Sequence, residues 1–78
     1  MDNRILWRCR RGTKELDLLF ENYYRLKANV FANEELELFK QLLDLNDELL
    51  TSWLIEGKEP ESKFSHLIKD IKTSYSLH

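Results

Sequence analysis

The sequence predicts an all-α protein, a compact bundle of four to five helices, and three observations lead there. Apolar residues recur at spacings of three and four along most of the chain, the period of a helix with one buried face. Two glycines and one proline leave few breaks, whereas many short strands would need frequent turns. No segment alternates at the two-residue period of a strand, and there is no internal repeat. At 78 residues the chain is a single domain, 1–78, with no room for a second core.

Ile5, Leu6 and Trp7 suit a short N-terminal helical turn. Over 14–26, Leu16, Leu19, Phe20 and Tyr23 form one stripe. Thr13 serves as its N-cap, and Glu15 and Asp17 fall in the first turn, where the helix dipole favours acids. Residues 29–33 read as a connection with Val30 and Phe31 tucked beneath it. Asn33 resembles the next N-cap, followed by Glu34 and Glu35 and by a stripe of Leu36, Phe39, Leu42 and Leu43. The period slips over 45–47, where Asp47 suits a new cap, and Leu50, Trp53 and Leu54 supply the next buried face. Gly57 fits the C-terminal stop. Pro60 suits the first position of the last helix, because its missing N–H would be unpaired there anyway. Phe64, Leu67, Ile68, Ile71 and Tyr75 then make the clearest stripe. Helices of ~10–15 residues are marginal alone, so packing between stripes must hold them.

Composition narrows the function. Apolar residues at 42% and charged residues at 33% describe a globular rather than a disordered chain. The absence of a bilayer-length apolar stretch or a signal-peptide core predicts a soluble, cytoplasmic protein without membrane insertion. One cysteine excludes an internal disulfide, and Cys9 with His66 and His78 fits no zinc spacing. Net charge is -2, yet residues 1–14 carry +4 and the remainder -6. A basic end on an acidic body steers association with an anionic partner.

Enzyme chemistry finds little support. A thiol nucleophile needs a base, and no spacing brings His66 or His78 to Cys9, so a partly buried free thiol and surface histidines are expected. No glycine-rich loop is present to cradle a phosphate. Glu34 with Glu35, and Asp44 with Asp47, are explained as helix caps and solvated faces.

The most unusual stretch is 7–17, which gathers Trp7, Arg8, Arg10, Arg11, Gly12, Glu15 and Asp17. Gly12 permits a positive φ and a close backbone approach. Arg11 and Glu15, four apart, would share one face of a helical turn, either paired with each other or offered to a partner. Arginine presents a planar fork of donors and glutamate an acceptor, which suits binding a polar surface rather than chemistry.

The run Arg11-Gly12-Thr13-Lys14-Glu15 resembles the RGxxE motif of the SdhE-like family, the small FAD assembly (flavinylation) factors of succinate dehydrogenase. The wider run from Trp7 through Cys9 and Arg10 to Leu16 and Asp17 resembles that family's N-terminal signature. A second block, with Phe39, Leu42, Leu43, Asp44, Asp47, Leu50, Trp53 and Leu54, is similar to its middle region, with Gly57 and Lys58 following. Glu48 departs from the pattern, since relatives often have proline there.

The resemblance implies a compact five-helix protein that binds the flavoprotein subunit of succinate dehydrogenase, and of related fumarate reductases, and promotes covalent attachment of FAD to a histidine of that subunit. The FAD belongs to the client, and the factor stably holds no cofactor. The resemblance places Arg11, Gly12 and Glu15 in the contact surface, Arg10 and Asp17 in support, and Trp7 at its margin or in the core. The free protein is expected to be a monomer without a nucleic-acid partner. Three other readings make distinct demands. A nucleic-acid binder using the arginine-rich end would lose affinity steeply with salt, an antitoxin-like protein would need a toxin partner, and an enzyme would show turnover traceable to Cys9 or the histidines.

Overall fold

The computed structural model describes residues 2–76, and His78 lies outside them. Five helices follow in order: α1 Asn3–Arg8, α2 Lys14–Lys27, α3 Asn33–Leu43, α4 Asp47–Leu54 and α5 Ser62–Ser76. None is long and apolar enough to cross a membrane. The central helix is α2, which packs on α4 and α5, while α5 also meets α3 and α4.

The stripes expected from the sequence form the core. Leu16, Phe20, Phe39, Leu42, Leu50 and Ile71 have no measurable exposure. Burying one such side chain stabilises the fold by about 1.5–3 kcal/mol before the entropy of ordering it is subtracted. Phe39 is the hub: its ring lies 5.6 Å from Phe31, 5.8 Å from Tyr23, 5.9 Å from Tyr24 and 6.2 Å from Phe20. Beyond this cluster Trp53 and Phe64 pack at 5.9 Å. A hydrogen bond of 2.8 Å from the Tyr23 hydroxyl to Asp70 ties α2 to α5 across the half-buried edge of the core.

Helix boundaries depart from expectation in several places. Helix α3 has Ala32 at its cap position, with Asn33 already helical; Glu35 takes the Ala32 N–H at 3.0 Å, and no side chain makes the cap bond that Asn33 was expected to give. Asn46, not Asp47, caps α4, accepting from Leu49 N–H at 2.9 Å. Gly57 does take a left-handed φ of +78°, and Lys58 N–H turns back to the Ser52 carbonyl at 2.8 Å. Pro60 lies ahead of α5 rather than at its first position. Of the two residues expected beneath the α2–α3 connection, Phe31 packs inward and Val30 is 67% exposed. Tyr75, expected in the buried stripe, is 44% exposed because no described element covers that end of α5.

Candidate functional site

The N-terminal segment is fixed before it presents anything. Asp2 caps α1 by accepting from Arg4 N–H at 2.9 Å, which with the Arg4 guanidinium holds its carboxyl below the usual range. Its own N–H donates to the Tyr24 hydroxyl at 2.9 Å. Ile5 and Cys9 enter the core, and Cys9 has no measurable exposure. The thiol is thus fully rather than partly buried, and burial pushes its pKa up to about 12. Such a thiol is inert as a nucleophile. His66 is exposed, on a small cleft with Tyr23, Glu35 and Asp70.

Arg11 overturns the expected geometry. It lies in the loop before α2, and its side chain, 15% exposed, turns away from Glu15 toward the α3–α4 corner. There Nε donates to Asp47 at 2.9 Å, Nη1 to the carbonyls of Leu43 at 2.7 Å and Arg8 at 3.1 Å, and Nη2 to the Leu45 carbonyl at 2.6 Å. A helix C-terminus leaves carbonyls without intrahelical donors and carries partial negative charge, and a guanidinium fork satisfies both needs. Arg8 works beside it, donating to the Lys40 carbonyl at 2.9 Å and to Asp44. Asp17 reaches back from α2 to accept the Arg11 backbone N–H. Arg8, Arg11 and Asp17 therefore hold the loop from both sides.

The held loop leaves Gly12 outermost. Its φ is +94°, and a Cβ added there would meet nothing within 4 Å. One turn on, Glu15 is exposed, and among the described residues its carboxylate has no hydrogen bond or ion pair. Trp7 is 69% exposed, not core, and Arg10 lies over its ring at 5.3 Å while also reaching Glu21 at 3.6 Å. Of the expected site residues, Gly12, Glu15, Arg10 and Trp7 are thus on the surface, whereas Arg11 and Asp17 shape it from beneath.

The basic end is less cationic than its sequence suggests. Arg4 pairs with Asp2, Arg8 with Asp44, Arg10 with Glu21 and Arg11 with Asp47. No cluster of potential metal ligands occurs among the described residues.

Sequence reasoning missed two features. Arg8 is a tether whose partners lie more than thirty residues away. A groove of about 680 Å³ opens beside Glu15, walled by Lys14, Leu18, Leu54, Ile55 and Tyr75. The available signal for it was Leu18 and Ile55, apolar residues that fall off the helical stripes.

Comparison with known proteins adds independent findings. Residues 3–75 match the family model described as flavinator of succinate dehydrogenase. The chain is 44% identical over 70 residues to the FAD assembly factor SdhE of Coxiella burnetii (strain RSA 493 / Nine Mile phase I), covering 88% of this chain and 85% of that one. It is 37% identical over 76 residues to the FAD assembly factor SdhE of Legionella pneumophila (strain Paris), covering 92% and 96%. The protein of that name from Wigglesworthia glossinidia brevipalpis is 35% identical over 71 residues, covering 90% and 84%. No solved structure matches.

Proposed function

Because the chain belongs to the family of the flavinator of succinate dehydrogenase, we propose that it is a FAD assembly factor that docks on the flavoprotein subunit and promotes covalent flavin attachment there. It performs no chemistry of its own. Bond formation between the flavin and a client histidine requires both in near-attack geometry, an orientational demand that can amount to about 7–11 kcal/mol of the barrier. A protein that binds the correctly arranged client more tightly than other arrangements shifts the population toward it by that difference in affinity.

The observation that carries this reading is the Glu15 carboxylate, unpaired among the described residues, beside the open backbone of Gly12. An exposed glycine without a Cβ lets a large partner approach the main chain, and a free carboxylate can receive a donor from it. Arg10 and Trp7 flank this face, while Arg11 and Asp17 fix its shape. The factor acts as a cytoplasmic monomer when free, and a fumarate reductase flavoprotein is a second client.

The test combines the purified flavoprotein subunit, FAD and the factor, and reads covalent flavin by in-gel fluorescence. Glu15→Ala should lower it while leaving the helical signal intact. Gly12→Ala and Gly12→Arg share the same backbone strain, so their difference isolates docking: the arginine variant should bind the subunit far more weakly. Equal binding by the two, together with normal flavin content for E15A, would refute the reading.

A further inference from the structure

Leu18, Ile55 and Tyr75 are 43%, 48% and 44% exposed, and they converge on one groove instead of scattering. Leu54 closes the groove from the core side, and Lys14 and Glu15 stand on its rim. Apolar surface gathered into a concavity with a polar rim marks an interaction site more strongly than the same residues apart. Resting on the docking reading above, we infer that this groove receives an apolar segment of the client flavoprotein carrying a basic residue opposite Glu15.

Two features select that occupant. Glu15 belongs both to the docking face and to the groove rim, so a client seated against Gly12 and Glu15 already overhangs the groove. Its carboxylate is unpaired among the described residues, and a cation from the client complements it once water is excluded. Lys14 and Lys72 also line the groove and would repel a client cation, so Glu15, the one acid in that lining, fixes where the client's basic residue must sit. A second copy of this chain is the competing occupant; in it Arg8 and Arg11 are already held by Asp44 and Asp47.

The experiment places the photo-crosslinking residue p-benzoylphenylalanine at Leu18 or Ile55 in the full chain and irradiates it with purified flavoprotein subunit. Both positions should crosslink to one client segment that contains apolar residues and a lysine or arginine. In parallel, Leu18→Asp/Ile55→Asp should weaken subunit binding by about tenfold or more, the loss expected when apolar anchors are removed. Leu26→Asp/Val30→Asp, at exposed positions outside the groove, should change binding by less than about twofold. Should the double aspartate variant lose its helical signal, the crosslinks decide alone. Wild-type binding by a folded L18D/I55D protein overturns the groove assignment, as does a photoproduct that is a dimer of this chain. If G12R weakens binding while L18D/I55D does not, the groove fails and the docking face stands. If the unmodified chain does not bind the subunit, the docking reading itself fails.

Discussion

Arg11 directs its side-chain donors to three carbonyls and the Asp47 carboxylate, and it is the residue on which the loop depends. Truncating it leaves the Leu43 and Leu45 carbonyls short of donors and Asp47 without its cation. Charge-assisted bonds of this kind contribute about 1.5–3 kcal/mol, and stranding their acceptors costs a similar amount. Arg11→Ala should therefore destabilise the protein by about 2–3 kcal/mol and lower its melting midpoint by roughly 10 °C or more. Arg11→Lys, which lacks the planar fork, should recover only part of that. Glu15→Ala should stay within about 1 kcal/mol of the wild type, because the field of the helix N-terminus is all that its carboxylate stabilises among the described residues. A thermal scan of the single variants thus separates shaping from docking, which an R11A/E15A double would merge. The four-residue spacing made the pair look equivalent in the sequence. What distinguishes them is a set of partners at the α3–α4 corner more than thirty residues away, and no local pattern carries that information.

Helix ends show the same limit at the next scale. The sequence offers side chains able to cap, and at the start of α4 two adjacent candidates compete. Asn46 and Asp47 both qualify by type, yet Asn46 takes the extended backbone and Asp47 is drawn to Arg11. At the start of α3 alanine stands at the cap and no side chain accepts from the first turn, while Glu35 takes the Ala32 N–H from three residues downstream. The stripes were legible because periodicity depends on the helix itself, whereas cap choice depends on which neighbour claims the side chain. Asn46→Ala removes the acceptor for Leu49 N–H and should cost about 1 kcal/mol, within the usual range of about 0.5–2 kcal/mol for an N-cap. For a domain of this size that is a fall in melting midpoint of about 4–8 °C. Asp47→Ala should instead reproduce part of the Arg11→Ala loss. If N46A melted like the wild type, another group would have to satisfy that amide.

Across the whole molecule, five short helices enclose one aromatic-centred core, and the stripe residues enter it wherever another element covers them. Tyr75 is the exception that shows why: periodicity identifies a face, but only the assembled fold decides whether anything packs on it, and here the uncovered end becomes the wall of a groove. Cys9 and Tyr23 belong to the same core, and their ionisation gives the fold an alkaline limit. Burial raises the Cys9 pKa from 9.0 to about 12, with the Glu21 charge adding to it. Tyr23 is also raised above its ordinary 10.0, by burial first and then by the hydrogen bond its hydroxyl gives to Asp70. In the folded state both stay protonated under conditions where the unfolded chain has released them. Above pH 9.0 the unfolded state therefore binds fewer protons, and stability must fall as pH rises. The contribution of Cys9 is fully present below 9.0 and is lost as pH approaches about 12; that of Tyr23 starts to be lost near 10.0. Each group steepens the decline by at most about 1.4 kcal/mol per pH unit. Urea midpoints measured from about pH 8 to 11 should fall progressively, within reversible unfolding. Cys9→Ala should be less stable near pH 8, because it opens a small void, yet its stability should decline less steeply above 9.0. Tyr23→Phe should flatten the curve only above 10.0. Comparing slopes rather than midpoints removes the packing cost of each substitution, so a C9A/Y23F protein declining as steeply as the wild type would show that other groups set the alkaline limit.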